Sequence, residues 1–281
     1  FFFKQKTAYE IKECDWSSDV CSSDLDAEIL FAHLIGINRM ELHNPIALEN
    51  AMENVGDIAE DYHQLLNRRL SHEPLQYITG EAHFRDLTLD VGPGVLVPRP
   101  ESELMVSYLL ALIEQKDGLI SVIDLGAGSG ALSIALSTEC ERVRAIAVEK
   151  SSEALVWLRK NVARYVEEMR VVEGDVADAL PGVKADFVIA NPPYVPNDQE
   201  LPEDVQQEPG EALFGGVTGL EVPKVFIEAA ARLLKSGGVL AIEHTELQGQ
   251  GISGLLEVMF KDIELHYDLN DRPRWTSAVR K

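Results

Sequence analysis

The chain has 281 residues, 46% hydrophobic and 26% charged, the balance of an ordinary globular protein with one large domain or a large domain plus a small one. Its formal net charge of −22, from 25 basic and 47 acidic side chains, disfavours a protein that grips long nucleic acid through the phosphates. No run approaches the roughly 18 apolar residues of a membrane helix. Cys14, Cys21 and Cys140 fit neither a disulfide framework nor a zinc pattern, so a reducing cytoplasmic compartment is expected.

Residues 1–25 stand apart from the rest. Phe1-Phe2-Phe3 passes into mixed charges and then Ser17-Ser18-Asp19-Val20-Cys21-Ser22-Ser23-Asp24, with neither a helical nor a strand period. The opening is too short for a signal-peptide core. The stretch resembles translated sequencing-adapter read-through, its rival being a genuine disordered arm, and is expected to be dispensable. From Asp26 to Gly36, early acids, apolar residues at helical spacing and a glycine stop predict a helix. A longer helical stretch is expected over Ile46–Leu70, with Leu48, Met52, Val55, Ile58, Ala59, Tyr62, Leu65 and Leu66 on its inner stripe and Gly56 as an interruption. Residues 26–80 therefore read as a small helical module. His33, His43, His63 and His72 share no metal-ligand spacing.

Phe84, Leu87, Leu89 and Val91 alternate with polar residues, and Gly92-Pro93-Gly94 leads into Val95-Leu96-Val97; the pattern predicts a hairpin inside a linker over 81–98. Pro98-Arg99-Pro100-Glu101-Ser102-Glu103 follows as a stiff loop, with Glu101 or Ser102 expected to start a helix over Leu104–Gln115. From residue 119 strand and helix alternate. Strands are expected at Leu119–Leu125, Arg144–Val148, Arg170–Glu173, Phe187–Ala190, Val239–Glu243, Ile263–Tyr267 and Trp275–Arg280. Helices are expected at Ala131–Thr138, Ser152–Tyr165, Pro223–Leu234 and Leu247–Met259. Such alternation means a mostly parallel sheet with helices on both faces.

Two stretches carry chemistry. In Asp124-Leu125-Gly126-Ala127-Gly128-Ser129-Gly130 a strand runs into a glycine loop and a helix start, where free N–H groups and close backbone approach suit a nucleoside cofactor. Glu149 ends the next strand and is placed to accept ribose hydroxyls. The loop also fits a relaxed dinucleotide fingerprint. Asp124 favours a cationic group such as the amino group of S-adenosylmethionine, and would repel a pyrophosphate. Asp175 and Val176, at the end of the third strand, are candidate adenine contacts or simply a turn. The second stretch is Asn191-Pro192-Pro193-Tyr194. Two prolines end the strand ladder and hold an amide and an aromatic ring beyond the carboxyl end of the sheet, where open α/β folds bind ligands.

Together these stretches, the Pro98–Glu103 loop and the helical front resemble the peptide chain release factor glutamine methyltransferases over about residues 26–281. The resemblance implies an α/β, class I S-adenosylmethionine-dependent methyltransferase fold over 99–281, seven-stranded and mostly parallel with its last strand antiparallel. A helical substrate-binding domain at 26–80 precedes it. The implied reaction moves the sulfonium methyl of S-adenosyl-L-methionine to the side-chain amide nitrogen of glutamine in a release factor Gly-Gly-Gln loop, leaving S-adenosyl-L-homocysteine. Carried over by position, Asp124, Gly126, Ala127, Gly128, Ser129, Gly130, Glu149, Asp175, Val176 and Asn191 bind the cofactor. Asn191, Pro192 and Tyr194 are catalytic, with Pro193, Arg99 and Glu101 beside the substrate. No metal, membrane or nucleic acid is implied, and the chain is expected to be monomeric.

Two departures from the family pattern are Glu149, where Asp is commoner, and Val176, where some relatives carry an aromatic. Glu208-Pro209 and Ala212-Leu213-Phe214-Gly215-Gly216 match the family's loop after the catalytic strand, and Arg272-Pro273-Arg274 its terminal turn. An Asn-Pro-Pro-Tyr site serves any planar nitrogen. A ribosomal-protein glutamine or adenine in nucleic acid is therefore a rival substrate, and a non-catalytic release-factor-binding module is a rival of another class.

Overall fold

The computed structural model describes residues 24–53 and 55–281. The expectation that residues 1–25 are dispensable read-through falls almost wholly outside that range. Two compact units are present. The first comprises the described residues up to Gly80 together with Glu203–Gln207, and the second comprises residues 81–202 and 208–281.

The first unit is helical: α1 (Asp24–Ile35), α2 (Pro45–Glu53), α3 (Ala59–Leu70) and the short α4 (Leu75–Thr79). Ala27, Leu30, Tyr62, Leu66 and Ile78 form its small core. Polar contacts inside it are satisfied as burial demands: Tyr62 Oη donates to the Ala27 carbonyl at 3.0 Å, and Arg69 Nε to Asp26 Oδ2 at 2.8 Å. The helical stretch expected over Ile46–Leu70, with Gly56 as an interruption, is two helices. Residues 55–58, with Gly56 among them, are not helical, and α2 buries no side chain. Of the predicted stripe, Tyr62 and Leu66 join the core and Leu65 packs against it. Glycine's backbone freedom and the polar Asp57 break the period before it can be buried.

The second unit opens with a hairpin of β1 (Glu81–Phe84) and β2 (Leu87–Asp90). It turns at Arg85-Asp86, where Arg85 has φ +52°, and not at Gly92–Gly94 as expected; Val95–Val97 is not a strand. The turn is held because the Arg85 N–H donates to the Glu103 carboxylate at 2.8 Å and its guanidinium clasps Glu139. Gly92 and Gly94 serve close packing instead: a Cβ there would run into Trp157 and Glu153.

A seven-stranded sheet follows, ordered β10-β11-β9-β6-β3-β4-β5. Its strands are β3 (Ile120–Leu125), β4 (Val143–Glu149), β5 (Arg170–Glu173), β6 (Ala185–Ala190), β9 (Leu234–Glu243), β10 (Phe260–Tyr267) and β11 (Pro273–Arg280). All pairs are parallel except those made by the last strand, β11, with β9 and β10. A two-stranded ribbon, β7 (Val195–Pro196) with β8 (Phe214–Gly216), lies outside it.

Helices α5 (Glu103–Glu114), α6 (Ala131–Glu139) and α7 (Ser152–Tyr165) pack on one sheet face with Val122, Ala145, Ala147, Phe187, Ile189 and Ala241. After the short α8 (Gly210–Leu213), helices α9 (Glu221–Leu233) and α10 (Gly249–Leu256) cover the other face with Ile123, Val188, Leu240 and Ile242. The near-continuous apolar runs of β3 and β6 are what burial on both faces requires. The hairpin belongs to this unit. Asn161 on α7 accepts from Asp90 N at 2.7 Å and donates to both Asp90 O and Ser129 O, and Tyr165 Oη bonds both backbone groups of Thr88. Among the described residues no helix is long and apolar enough to cross a membrane.

Candidate active site

Strand side chains alternate faces with a period of two. On the α5–α7 face, the series Val122, Ala147, Ile189 and Ala241 continues two residues on as Asp124, Glu149, Asn191 and Glu243. The register pairs Asp124 with Ile189 and Ala147, and Ile189 with Ala241. Polar groups thus succeed apolar ones on four adjacent strands at the carboxyl edge of the sheet, the edge at which open α/β folds hold ligands. A cavity of about 360 Å³ opens there.

Of the residues singled out from sequence, Arg99, Gly126, Gly128, Ser129, Glu149, Asp175, Val176, Asn191 and Pro193 line this cavity. Asp124, Ala127, Gly130, Pro192, Tyr194 and Glu101 are not among its lining residues. Gly130 is the instructive case. At φ +87°, a Cβ there would lie 2.7 Å from Leu158 and 2.9 Å from Ile134, so its lack of a side chain lets α6 and α7 pack.

The cavity's glycine-loop end is made of backbone. Gly126 and Ala127 donate to the Val148 carbonyl at 2.9 and 3.0 Å, fastening the loop to β4. Glu149 accepts from Gly128 N, Lys150 N and Ser151 N, each at 2.8 Å, which fixes its carboxylate between the loop and the start of α7. Asp124 is wholly buried; Oδ2 accepts from Ser133 N at 3.2 Å, while Oδ1 has no partner among the described residues. Desolvation raises its pKa from 3.8 to about 7. A buried carboxylate oxygen without a donor, beneath a glycine cradle, fits a cofactor with a cationic amino group. Glu149 retains acceptor capacity beyond its three N–H bonds and fits a ribose hydroxyl.

The other end is made of side chains brought from far apart in sequence. Glu208, nearly buried, accepts from Val97 N at 2.9 Å and from Arg99 Nη2 at 2.5 Å, which pins the Pro-Arg-Pro loop over the cavity. Ser102 was expected to cap α5 but makes no such bond. Its hydroxyl donates instead to Glu243 Oε2 and accepts from Asn191 Nδ2 at 3.4 Å. Tyr194 Oη donates to Glu243 Oε1 at 3.1 Å. Burial raises the Glu243 pKa, opposed by these two O–H donors and by the charge of Arg274. The Tyr194 phenol is driven well above its ordinary value by burial and by Glu243.

The Asn-Pro-Pro-Tyr backbone is braced from behind. Gln248 Nε2 donates to the Tyr194 carbonyl at 2.7 Å, and a Cβ at Gly215 would sit 2.6 Å from the Pro193 carbonyl. Arg274, expected in a terminal turn, is the second residue of β11 and pairs with Asp268 at 2.8 Å, which closes the β10–β11 connection. Sequence reasoning missed Glu243 and Gln248; it placed Glu208 in the loop after the catalytic strand but did not foresee its bonds to Val97 and Arg99. Glu243 stands at the end of a predicted strand, a position that could have marked it, but its partners depend on strand order.

The sheet order with its single reversed strand, the glycine loop and the acids at the strand ends define a class I S-adenosylmethionine-dependent methyltransferase. Residues 101–208 match the Methyltransferase small domain family and residues 17–80 the PrmC N-terminal domain family. A release factor glutamine methyltransferase of Streptomyces coelicolor is 40% identical over 92% of both chains. That of Mycolicibacterium smegmatis is 35% identical, covering 94% of this chain and 93% of its own. A solved methyltransferase of Pyrococcus furiosus shares the fold with a TM-score of 0.52 and 17% identity, over 79% of this chain and 98% of that one. The chain belongs to the release factor glutamine methyltransferase family.

Proposed function

We propose that this protein methylates the side-chain amide nitrogen of the glutamine in the Gly-Gly-Gln loop of peptide chain release factors, with S-adenosylmethionine as donor. The observation that carries this reading is the Asn191 amide: its nitrogen is tied to Ser102, its oxygen accepts nothing among the described residues, and the residue lines the cavity. When bound, S-adenosylmethionine supplies an electrophilic methyl on a sulfonium and is left as S-adenosylhomocysteine. Asp124 Oδ1 would take its amino group, Glu149 its ribose, the Gly126–Gly130 loop its backbone-facing edge, and Asp175 and Val176 its base.

An amide nitrogen is a weak nucleophile because its lone pair is shared with the carbonyl. Asn191 Oδ1 and the Pro192 carbonyl would each accept one N–H of the substrate amide, fixing that nitrogen in place. Orientation of this kind supplies up to about 7–11 kcal/mol in favourable cases. Tyr194 and Pro193 would bound the flat amide, and Arg99 and Glu101 would lie by the entering loop. The nitrogen gains the methyl and loses a proton to solvent, so no metal and no strong base enters. The 26–80 module would help hold the release factor, with 99–281 as the catalytic domain and a monomer in the cytoplasm as the working form.

The test is label transfer from S-adenosylmethionine to a release factor, its Gly-Gly-Ala variant, a ribosomal-protein substrate and DNA, each assayed alone. Label in the unaltered release factor only is the expected result. Label in DNA, or equal label in the Gly-Gly-Ala variant, overturns the reading.

A further inference from the structure

We propose that Glu243 is a positioning residue which, acting through Ser102, decides which atom of the Asn191 amide faces the substrate. The proposal deepens the glutamine-methylation reading and rests on it. The oxygen and nitrogen of an asparagine amide have nearly the same shape, so packing alone does not choose between the two orientations. Only one of them presents an acceptor to the N–H of a substrate amide; the other sets donor against donor.

The structure supplies a chemical choice. Glu243 sits at the end of β9, 3% exposed, and as a carboxylate it has no proton to give. Its two oxygens accept from Ser102 Oγ and Tyr194 Oη. Ser102 is 2% exposed and has one hydroxyl proton. Once that proton points at Glu243, the Ser102 oxygen can only accept, and the group in reach is Asn191 Nδ2. Asn191 Oδ1 is thereby turned to the cavity. The opposite sense would direct the Ser102 proton at Asn191 Oδ1. It would leave Glu243 Oε2 buried without a donor, a state that burial penalises heavily. Hydrogen-bond polarity therefore runs from Asn191 through Ser102 to Glu243, from the residue just past β6, through the segment that follows Pro98-Arg99-Pro100, to the end of β9.

Ser102→Ala removes the link, Glu243→Gln replaces one of the two acceptor oxygens by a donor so that the sense of the relay is no longer enforced, and Ser102→Thr keeps the hydroxyl. Steady-state kinetics on the full chain with a release factor, together with the Kd for S-adenosylmethionine, read the result. Ser102→Ala and Glu243→Gln should each lose roughly 10- to 100-fold in kcat, the range of a mispaired buried hydrogen bond. KM and the cofactor Kd should move by less than about threefold, and Ser102→Thr should restore most of kcat. Should Glu243→Gln not fold, the Ala and Thr variants at 102 carry the comparison alone. Unchanged kcat in Ser102→Ala, or a Thr variant as poor as the Ala variant, overturns the proposal while wild-type methylation leaves the functional reading standing. If the wild type labels adenine instead, the functional reading fails, and the same kcat comparison on that planar nitrogen decides the relay.

Discussion

The two ends of the cavity are built on different principles. At the glycine-loop end, nearly every polar partner is a backbone group: Glu149 holds Gly128, Lys150 and Ser151, and the loop hangs on Val148. At the Asn191 end, the partners are side chains from three separate segments, Ser102, the Asn191–Tyr194 stretch and Glu243, with Glu208 and Gln248 behind them. Backbone groups have fixed donor and acceptor identities, so the first end needs only a fold. Hydroxyls and amides can reverse their sense, so the second end needs a residue that cannot. Damage to the first should appear as weaker cofactor binding, and damage to the second as a slower chemical step.

Asn191→Asp should break that division most sharply. A carboxylate still accepts an N–H, but it has no amide proton for Ser102 and places a second acid near the buried Glu243. We expect kcat to fall by about 100-fold or more, the scale of losing a positioned hydrogen-bonding group at a reacting centre, with the S-adenosylmethionine Kd largely kept. A fully active variant would contradict the role given to Asn191.

Asp124→Asn probes the opposite end, and its effect should depend on pH. The folded carboxyl holds its proton up to about pH 7, whereas the unfolded one releases it near 3.8. The unfolded state therefore binds fewer protons in that window, so the ligand-free protein loses stability as pH rises from about 4 to 7 and is level above it. The roughly three-unit shift corresponds to about 4 kcal/mol as an order of magnitude. The Asn variant should lack this slope in denaturant titrations at pH 5 and 8. It should also bind S-adenosylmethionine more weakly at pH 8, by around tenfold, with kcat at saturation altered far less. Equal pH slopes in the two proteins would mean that Asp124 is ionised in the fold.

This contrast also explains what the sequence disclosed. The alternating strands and helices beyond residue 119, the Gly126–Gly130 loop, Glu149 and Asn191-Pro192-Pro193-Tyr194 are local patterns, and local patterns are legible in one chain. Fold class followed from them because βα alternation leaves few topologies. The hairpin turn was misplaced because Gly92-Pro93-Gly94 has turn chemistry, while the actual turn at Arg85 depends on Glu103 and Glu139 contacts that no local rule sees. Ser102 looked like a helix cap for the same reason: its capping position is local, but the carboxylate that takes its proton lies on β9, two strands away from the glycine loop in sheet order. Whether Glu243 was structural or functional could not be read before that order was known.

The smallest expected effect tests whether Tyr194 acts through its ring or its hydroxyl. Phe at 194 keeps the ring and removes one of the two O–H donors to Glu243. Losing a hydrogen bond of this kind is worth about 1–2 kcal/mol, so kcat should drop by roughly 5- to 30-fold, less than for Ser102→Ala. The pH profile carries the finer information. Glu243 already has a raised pKa, with burial and Glu101 pushing it up and Ser102, Tyr194 and Arg274 pulling it down. Once protonated, Glu243 can donate, and the polarity that turns Asn191 Oδ1 to the substrate is no longer enforced. The rate should therefore rise with pH through the Glu243 pKa. Removing the Tyr194 hydroxyl takes away one of the pulls downward, so in Tyr194→Phe this acid limb should move to higher pH, while in Ser102→Ala, where Glu243 no longer reaches Asn191, it should flatten. An acid limb identical in wild type and both variants would show that the limb belongs to another group and that Tyr194 contributes only its ring.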